Sequence, residues 1–217
     1  MFQPFRLAEA GVYKHALITP GNSRGPIAPL RGGRGFAKKR AMSPADIQRL
    51  QLAIRDVPDF PKQGIVFKDI TPILGDGALF RLAVAGFIEA ARAARAEKIA
   101  GIDARGFIFG AAAAHELGLG FVPVRKKGKL PYECESAAYS LEYGEAVVEM
   151  HIDAVKPGER VVLMDDLLAT GGTAGAAVKL IKSIGGRVVS AVFLIELGFL
   201  NGRKALGEVP VEALLRY

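Results

Sequence analysis

From residue 78 onward, the chain alternates between segments in which apolar residues recur at helical spacing and short, continuous apolar runs. The helical spacing predicts helices at 78–96, 106–117 and 172–184. The apolar runs are rich in β-branched residues and predict strands at 98–103, 121–124, 146–151, 161–164 and 187–197. Strands that alternate with helices are typical of an α/β fold, so we expect a mostly parallel sheet that helices cover on both faces.

The segment before residue 78 predicts a smaller structure. Ser43 and Asp46 can form a capping box around Pro44, a residue that suits the first position of a helix. Apolar positions then follow at helical spacing, at Ile47, Leu50 and Ile54. We expect this helix to end at Pro58 and a turn-rich link to lead into an extended run at 65–67.

Residues 125–144 show neither pattern, and we interpret them as one long loop. Its first part is strongly basic, with Arg125, Lys126, Lys127 and Lys129. Loops of this length within a compact domain usually carry function or are disordered. The segment is therefore a candidate binding element.

The net charge of +7 belongs to the N-terminal 41 residues. Glu9 is the only acid there, against eight bases (8 − 1 = +7): Arg6, Lys14, Arg24, Arg31, Arg34, Lys38, Lys39 and Arg40. Residues 42–217 hold the other 21 bases and 21 acids and are neutral overall. A surface-wide attraction to nucleic acid is therefore not expected, and we predict no nucleic-acid partner.

Residues 1–41 have little periodicity and are interrupted by glycine and proline, so we predict a basic, disordered extension. Three interpretations of it stay open. The first is that Met42 is the true start of translation, or that the tail is dispensable. The second is an organelle-targeting segment, because the stretch is basic and nearly free of acids. The third is a functional basic tail.

Apolar runs and cysteine content limit where the protein works. No stretch of about 18 uncharged apolar residues occurs, so we expect no membrane span. Cys134 is the only cysteine, which rules out a disulfide within the chain and fits a reducing compartment such as the cytoplasm. We expect its thiol to be incidental.

In the stretch 161–175, two acids stand beside a loop suited to an anion. Asp165 and Asp166 follow a predicted strand, at the end where parallel sheets bind ligands. Thr170-Gly171-Gly172-Thr173 then leads into a helix, whose free amides and partial positive charge favour a phosphate. No lysine follows Gly172, and the acids occupy the place of the first glycine of a dinucleotide fingerprint. Both common nucleotide signatures are therefore absent.

A ribose 5-phosphate satisfies both halves of this stretch. Its phosphate fits the Thr/Gly loop, and its 2- and 3-hydroxyls can donate to Asp165 and Asp166. If the anomeric carbon loses a leaving group, positive charge develops on the ring, and the two acids stabilise it. The residues therefore favour chemistry at the anomeric carbon of a phosphorylated pentose.

This combination resembles the phosphoribosyltransferase family, whose members carry an apolar strand, two acids and a Thr-Gly-x-Thr loop that binds phosphoribosyl diphosphate (PRPP). The resemblance covers most of residues 42–217 and none of 1–41. Adenine-specific members are similar in the spans 60–72, 101–110, 124–131, 139–144 and 161–173. The resemblance implies a type I phosphoribosyltransferase-like α/β fold, with a hood near 43–72, a core near 78–217 and a flexible lid loop near 125–144.

The resemblance also implies a role for each part of the site. The sugar and its phosphate are expected at Asp165, Asp166, Ala169, Thr170, Gly171, Gly172 and Thr173. The diphosphate is expected at Arg105, Arg125, Lys126, Lys129 and Tyr143. Adenine is expected at Val66, Phe67, Lys68 (through its main chain) and Leu167. The acid expected to handle the purine proton is Glu142, so the predicted catalytic residues are Glu142, Asp165 and Asp166.

The implied activity transfers the phosphoribosyl group of PRPP to adenine and gives AMP and diphosphate. Mg²⁺ is expected to arrive with the diphosphate, because no cluster with metal-ligand spacing occurs in the sequence. A homodimer is expected, because some cations of the basic loop reach across a dimer interface in relatives. Two alternatives stay open: a transferase for xanthine, guanine or hypoxanthine, and a non-catalytic regulator that binds PRPP or a nucleotide.

Overall fold

The structure, a computed structural model, describes residues 42–140 and 145–217, and of Ser140 only the backbone. The predicted extension, 1–41, and the predicted lid residues 141–144 lie outside this range. The helices are α1 Pro44–Ala53, α2 Thr71–Gly75, α3 Gly77–Ala93, α4 Arg105–Leu117 and α5 Gly172–Ser183. The strands are β1 Arg55–Pro58, β2 Val66–Asp69, β3 Lys98–Ile102, β4 Gly120–Lys126, β5 Cys134–Ser140, β6 Glu145–His151, β7 Arg160–Leu168, β8 Arg187–Glu196 and β9 Val211–Arg216.

The described chain is built on a seven-stranded sheet in the order β5-β6-β4-β3-β7-β8-β9. The five strands β4, β3, β7, β8 and β9 pair parallel with one another. At the other edge, β6 pairs antiparallel with both β4 and β5. The mostly parallel α/β sheet that the sequence predicts is therefore confirmed, with an antiparallel edge added to it.

Helices cover the two faces of the sheet through two separate cores. On one face, α5 packs its buried side chains, such as Leu180 and Ile181, against β3, β4, β6 and β7. On the other face, α1, α3 and α4 bury Leu50, Phe87 and Phe109, the last two with their rings stacked 4.9 Å apart. Because both faces are covered, the central strands are apolar on both sides, which is why they read as continuous hydrophobic runs. No described helix is long and apolar enough to cross a membrane.

Helix α1 starts as predicted but ends earlier. Ser43 accepts a hydrogen bond from the Asp46 amide, and the Asp46 carboxylate accepts one from the Ser43 amide, so the capping box is confirmed. The helix stops at Ala53, and Arg55–Pro58 forms a strand against Val66–Asp69. The expectation that the helix continues to Pro58 is wrong. A residue before proline is disfavoured in helical conformation, and the pairing with β2 gives this segment an extended alternative.

The interpretation of 125–144 as one long loop is wrong in its extent. Strand β4 continues through Lys126, and Cys134–Ser140 pairs residue by residue with Glu145–His151. Among the residues of this span that the structure describes, only 127–133 therefore lie outside a strand. The missed strand contains few large apolar residues. Of its described side chains, only those of Cys134, Ala137 and Tyr139 are half-buried, and the last two pack against the core beside α5. Such weak alternation is hard to distinguish from a loop by periodicity alone.

Candidate active site

The sequence predicts that the acid pair follows the strand at 161–164. In the structure Asp165 and Asp166 lie within strand β7, which continues to Leu168. Strand β3 accompanies β7 only as far as Met164, whereas β8 pairs with it to Leu168. Asp165 and Asp166 therefore project past the end of β3 while they stay fixed by β8. The carboxyl end of the parallel sheet is the place where ligands bind in open α/β folds. Its overhanging strand gives the two acids a rigid support.

Gly106 allows helix α4 to begin directly against this overhang. A Cβ atom on Gly106 would lie 2.6 Å from the Met164 carbonyl oxygen and 2.8 Å from Asp165 Oδ1. Only glycine permits this approach, which places Arg105 beside the acids. Arg105 Nε donates to Asp166 Oδ2 at 2.5 Å, although the two residues are 61 positions apart.

The two acids have different environments. Asp166 is buried and is held by the Arg105 guanidinium. Asp165 opens onto the cavity, yet burial and then the Asp166 charge raise the pKa of its carboxyl well above the usual value. The Asp166 amide, which donates to Asp165 Oδ1 at 2.9 Å, opposes part of that rise in pKa. A carboxyl group whose pKa is raised at a ligand site, as that of Asp165 is, is typical of a functional residue.

A cavity of about 620 Å³ gathers predicted residues from three separate parts of the chain. Four predicted diphosphate ligands lie on its wall: Arg105, Arg125, Lys126 and Lys129. The acid pair and the first turn of α5 line the same cavity, at Asp165, Asp166 and Thr173. The cavity therefore joins a cationic wall to an acidic one, an arrangement suited to a ligand with both phosphate and hydroxyl groups.

Arg125 is oriented by its neighbours. Its Nε donates to Asp103 Oδ2 at 3.1 Å, and its Nη1 donates to the Lys129 carbonyl oxygen at 2.8 Å. Across the strands, the buried Glu149 carboxylate accepts from the Gly128 amide at 2.8 Å and from the Ser136 hydroxyl at 3.3 Å. The basic turn is thus held by the carboxylates of Asp103 and Glu149, while Arg125, Lys126 and Lys129 line the cavity.

A second cavity of about 90 Å³ lies beside the first. It is formed around residues 169–173, the loop predicted to bind the phosphate, which we call the phosphate cradle. Its wall consists of Asp165, Leu167, Leu168, Ala169, Thr170, Gly171, Gly172, Thr173 and Ala174. Gly171 has a φ of +82°, a conformation that favours glycine, and it turns the chain into α5. Six of the seven residues predicted to hold the sugar and its phosphate therefore line this cavity, and the seventh, Asp166, lines the larger one.

The two helices that start at the site lack side-chain caps, unlike α1 and α3. Ser43 caps α1 and Asp76 caps α3, whereas neither Ala104 before α4 nor Gly171 before α5 supplies a capping side chain. The first amides of such helices remain available, and the helix dipole favours an anion there. The site thus offers two anion-binding helix ends, one at each cavity.

The predicted adenine residues are brought near the site but do not line its larger cavity. Leu167 lines the smaller cavity, and the Phe67 ring lies 5.6 Å from the Arg105 guanidinium. Val66 is exposed. The Lys68 ammonium is engaged elsewhere, at 2.7 Å from Asp56 Oδ1 and over the Tyr217 ring. The Lys68 side chain is therefore occupied, and its predicted role through the main chain stays a prediction.

Two predicted site residues, Glu142 and Tyr143, lie outside the described residues. Nearby, Glu133 and Glu135 are exposed and do not line the cavity, so they do not repel a diphosphate there. Burial and then the Glu149 charge raise the pKa of the Cys134 thiol, which disfavours a nucleophilic thiolate.

Other members of the cavity wall were not predicted from the sequence, among them Asp103, Tyr139 and Val148. Asp103 could have been found, because it ends a predicted strand at the same edge of the sheet as Asp165. Tyr139 belongs to the strand that periodicity did not reveal. Among residues 42–140 and 145–217, no group of three or more His, Cys, Asp or Glu side chains could hold a metal ion.

Comparisons with known proteins agree with this geometry. Residues 82–211 match the family model described as the phosphoribosyl transferase domain. The adenine phosphoribosyltransferase of Neorhizobium galegae is 60% identical over 163 residues, which cover 75% of this chain and 90% of that protein.

Solved structures show the same similarity. The crystal structure of adenine phosphoribosyltransferase from Rhodothermus marinus is 52% identical with a TM-score of 0.76, and the match covers 81% of this chain and 100% of that one. The Saccharomyces cerevisiae enzyme was solved with adenine and an imino-altritol bisphosphate. It is 40% identical with a TM-score of 0.76, over 78% of this chain and 98% of that one.

Proposed function

The chain belongs to the adenine phosphoribosyltransferase family, and we propose from this premise that it transfers the phosphoribosyl group of PRPP to adenine. The products are AMP and diphosphate, and the role is purine salvage. The observation that carries the proposal is the 620 Å³ cavity, which is lined by the cations Arg105, Arg125, Lys126 and Lys129 and by the acids Asp165 and Asp166. A diphosphate and a ribose need these opposite charges side by side.

The sugar half of PRPP is assigned to the acids and the cradle. The 5-phosphate lies in the 90 Å³ cavity among the amides of 169–173, and the ribose hydroxyls donate to Asp165 and Asp166. As the bond from the anomeric carbon to the diphosphate oxygen breaks, positive charge develops on the ring. The acids stabilise that charge, and such preorganised groups commonly contribute a factor of about 10²–10³ to the rate.

The leaving diphosphate is assigned to the cationic wall. Arg105 starts helix α4, a position that is unfavourable for a cation unless an anion is present. In the free protein Asp166 supplies that anion. The diphosphate keeps the electron pair of the broken bond, and the four cations and the α4 amides hold it.

Adenine is assigned to the space beside β2 and Leu167. One peptide unit can match its amino donor and ring-nitrogen acceptor. A 6-oxopurine reverses that pattern and would leave buried groups unpaired, at a cost of about 1–3 kcal/mol. A nitrogen in the imidazole ring of adenine attacks the anomeric carbon with inversion. Glu142 takes part in moving the proton that this nitrogen loses.

Mg²⁺ is assigned to the substrate and not to a site built by the protein. The described residues offer no set of three ligands for an ion, whereas the diphosphate oxygens suit a hard cation. When bound, Mg²⁺ neutralises charge on the diphosphate. Removal of divalent ions with EDTA should abolish AMP formation, and added Mg²⁺ should restore it.

A homodimer in the cytoplasm completes the proposal. The resemblance of the basic loop to relatives implies the dimer, and the single free cysteine fits a reducing compartment. Sedimentation equilibrium tests the assembly, because a species of 23.1 kDa alone would contradict a dimer.

The central experiment measures AMP formation from adenine and PRPP by the wild-type protein and by Asp165→Asn, Asp166→Asn and Glu142→Ala. Each substitution removes a charge assigned to the transition state or to the purine proton, so each should lower kcat. Undiminished turnover in all three variants would show that the site is misplaced.

The choice of base is tested separately. Labelled PRPP is offered together with adenine, xanthine, guanine and hypoxanthine, and the nucleotides formed are quantified. AMP should dominate. A clear preference for a 6-oxopurine would end the adenine assignment but leave the phosphoribosyl site standing.

A further inference from the structure

A short 3-10 segment, Gly202–Leu206, lies directly behind the phosphate cradle. A Cβ atom on Gly202 would collide with the Ala169 carbonyl oxygen, and one on Gly171 would collide with the Gly202 carbonyl oxygen. A Cβ on Gly175 would lie 2.7 Å from the Ala205 carbonyl oxygen. The cradle and this segment are therefore in backbone contact, so a shift of one must move the other.

Arg203 ties this segment to the sheet. Its Nε donates to Glu196 Oε1 at 2.7 Å and its Nη2 donates to Glu196 Oε2 at 2.6 Å, a two-pronged contact. Its Nη1 donates to the Val211 carbonyl oxygen at 3.0 Å. Paired planar contacts of this kind fix orientation as well as distance. Gly202, the adjacent residue, is thereby held in place.

Glu196 connects the pair to the strand that carries the acids. It is 3% exposed and lies opposite Leu168 in the pairing of β7 with β8. The next amide, of Leu197, donates to the Leu168 carbonyl oxygen at 2.9 Å. Leu168 immediately precedes Ala169, the first residue of the cradle. Glu196 and Arg203 thus clamp the cradle between β8 and the 3-10 segment.

We propose that Glu196 and Arg203 are positioning residues of the sugar-phosphate site. They hold Gly202 against Ala169 and Gly171, which keeps the cradle amides converging on one phosphate. Neither residue lines the 620 Å³ or the 90 Å³ cavity, so they act through the backbone and do not touch the substrate. The inference rests on the function proposed above.

The test compares Arg203→Met with Arg92→Met, which removes an exposed ion pair on α3 far from the cradle. Calorimetry on the full chain measures the affinity for ribose 5-phosphate and, separately, for diphosphate with Mg²⁺. In Arg203→Met the Kd for ribose 5-phosphate should rise about tenfold, and the KM for PRPP should rise with it. The Kd for diphosphate and the KM for adenine should stay within about twofold. The control should match the wild type in all four.

Two further variants separate positioning from general loss of structure. Glu196→Gln keeps the shape but weakens the clamp, and Arg203→Lys keeps the charge but not the fork, so both should fall between wild type and Arg203→Met in ribose 5-phosphate affinity. An unchanged Kd for ribose 5-phosphate in folded Arg203→Met overturns the inference, and so does an equal loss for both ligands. A wild-type protein that forms no AMP would refute the proposed function instead.

Discussion

At the scale of single residues, the buried carboxyl of Asp165 lowers the stability of the free protein when it is ionised. Burial and the neighbouring Asp166 charge raise the pKa of its carboxyl, which means that the folded state holds this proton more tightly than the unfolded chain does. Above the ordinary pKa of 3.8, folding therefore takes up a proton, and the contribution of Asp165 to stability falls as the pH rises toward its raised pKa. An ionised Asp165 at the site therefore lowers the stability of the folded protein.

We predict that Asp165→Asn stabilises the free protein and impairs the enzyme. The melting temperature of the variant should exceed that of the wild type, by a margin that grows as the pH rises from about 4 toward neutral. AMP formation should fall by about 10²–10³-fold, since the amide cannot stabilise a ribosyl cation. Calorimetry across this pH range and steady-state kinetics check both parts. A variant that melts below the wild type at neutral pH would contradict the electrostatic account.

Gly106 is the second residue on which the geometry depends. In Gly106→Ala the new methyl group would meet the Met164 carbonyl oxygen and Asp165 Oδ1, so α4 must move away and carry Arg105 with it. We predict a loss of about 1–3 kcal/mol in the free energy of unfolding, measured in urea, and a higher KM for PRPP. Gly77→Ala, where a Cβ has no neighbour within 4 Å, is the control and should keep both values near those of the wild type.

At the scale of elements, Asp69 joins the β1–β2 hairpin to helix α2. Its carboxylate accepts from the Thr71 amide at 2.9 Å and from Arg55 Nη2 at 2.6 Å. The Thr71 amide first, and Arg55 after it, lower the pKa of Asp69 to about 2. Because this pKa lies below the ordinary 3.8, the contribution to stability is present above that value and is lost as the pH falls toward 2.

We predict that Asp69→Asn loosens this junction. The free energy of unfolding at pH 7 should fall by about 1 kcal/mol, since one charged contact and part of a helix start are lost. The gap between wild type and variant should hold down to about pH 4 and close as the pH approaches 2. Urea titrations at several pH values measure it. Asp153→Asn, on an exposed turn, is the control. A gap that is independent of pH would exclude the assigned cause.

Prediction from sequence succeeded for elements with a strong local signal. Ser43 and Asp46 predicted the start of α1, and the apolar run 161–164 predicted β7. A cap and a buried run are both defined by residues close together in the chain, so the sequence alone reveals them. The end of α1 and the strand Cys134–Ser140 were missed. Both depend on a partner strand elsewhere in the chain, and such pairing overrides weak local preference.

At the scale of the whole molecule, charge is divided unevenly along the chain. Residues 1–41 hold the entire net charge of +7, and residues 42–217 are neutral. Met42 packs against the core that α1, α3 and α4 share, Ser43 caps α1, and every residue assigned to the site lies after this point. Catalysis at the acid pair should therefore not depend on the basic segment.

We predict that a variant that begins at Met42 keeps the activity of the full chain. Its kcat should stay within about twofold and its melting temperature within about 2 °C, because no assigned ligand precedes residue 42. Its isoelectric point should drop from about 9.6 toward neutrality. Kinetics, calorimetry and isoelectric focusing test this directly. A loss of turnover in the folded variant would favour a functional tail over a dispensable one.

The sequence by itself determined the α/β alternation and the character of the acid pair and Thr/Gly loop. Those features are continuous in the chain, so local spacing is enough to define them. Only the tertiary structure decided that Arg105 contacts Asp166, 61 positions away, and that Arg125 donates to Asp103. It also decided that Gly202 packs against the cradle. These contacts arise where separate strands end at one edge of the sheet, and their geometry depends on packing, which no local pattern contains.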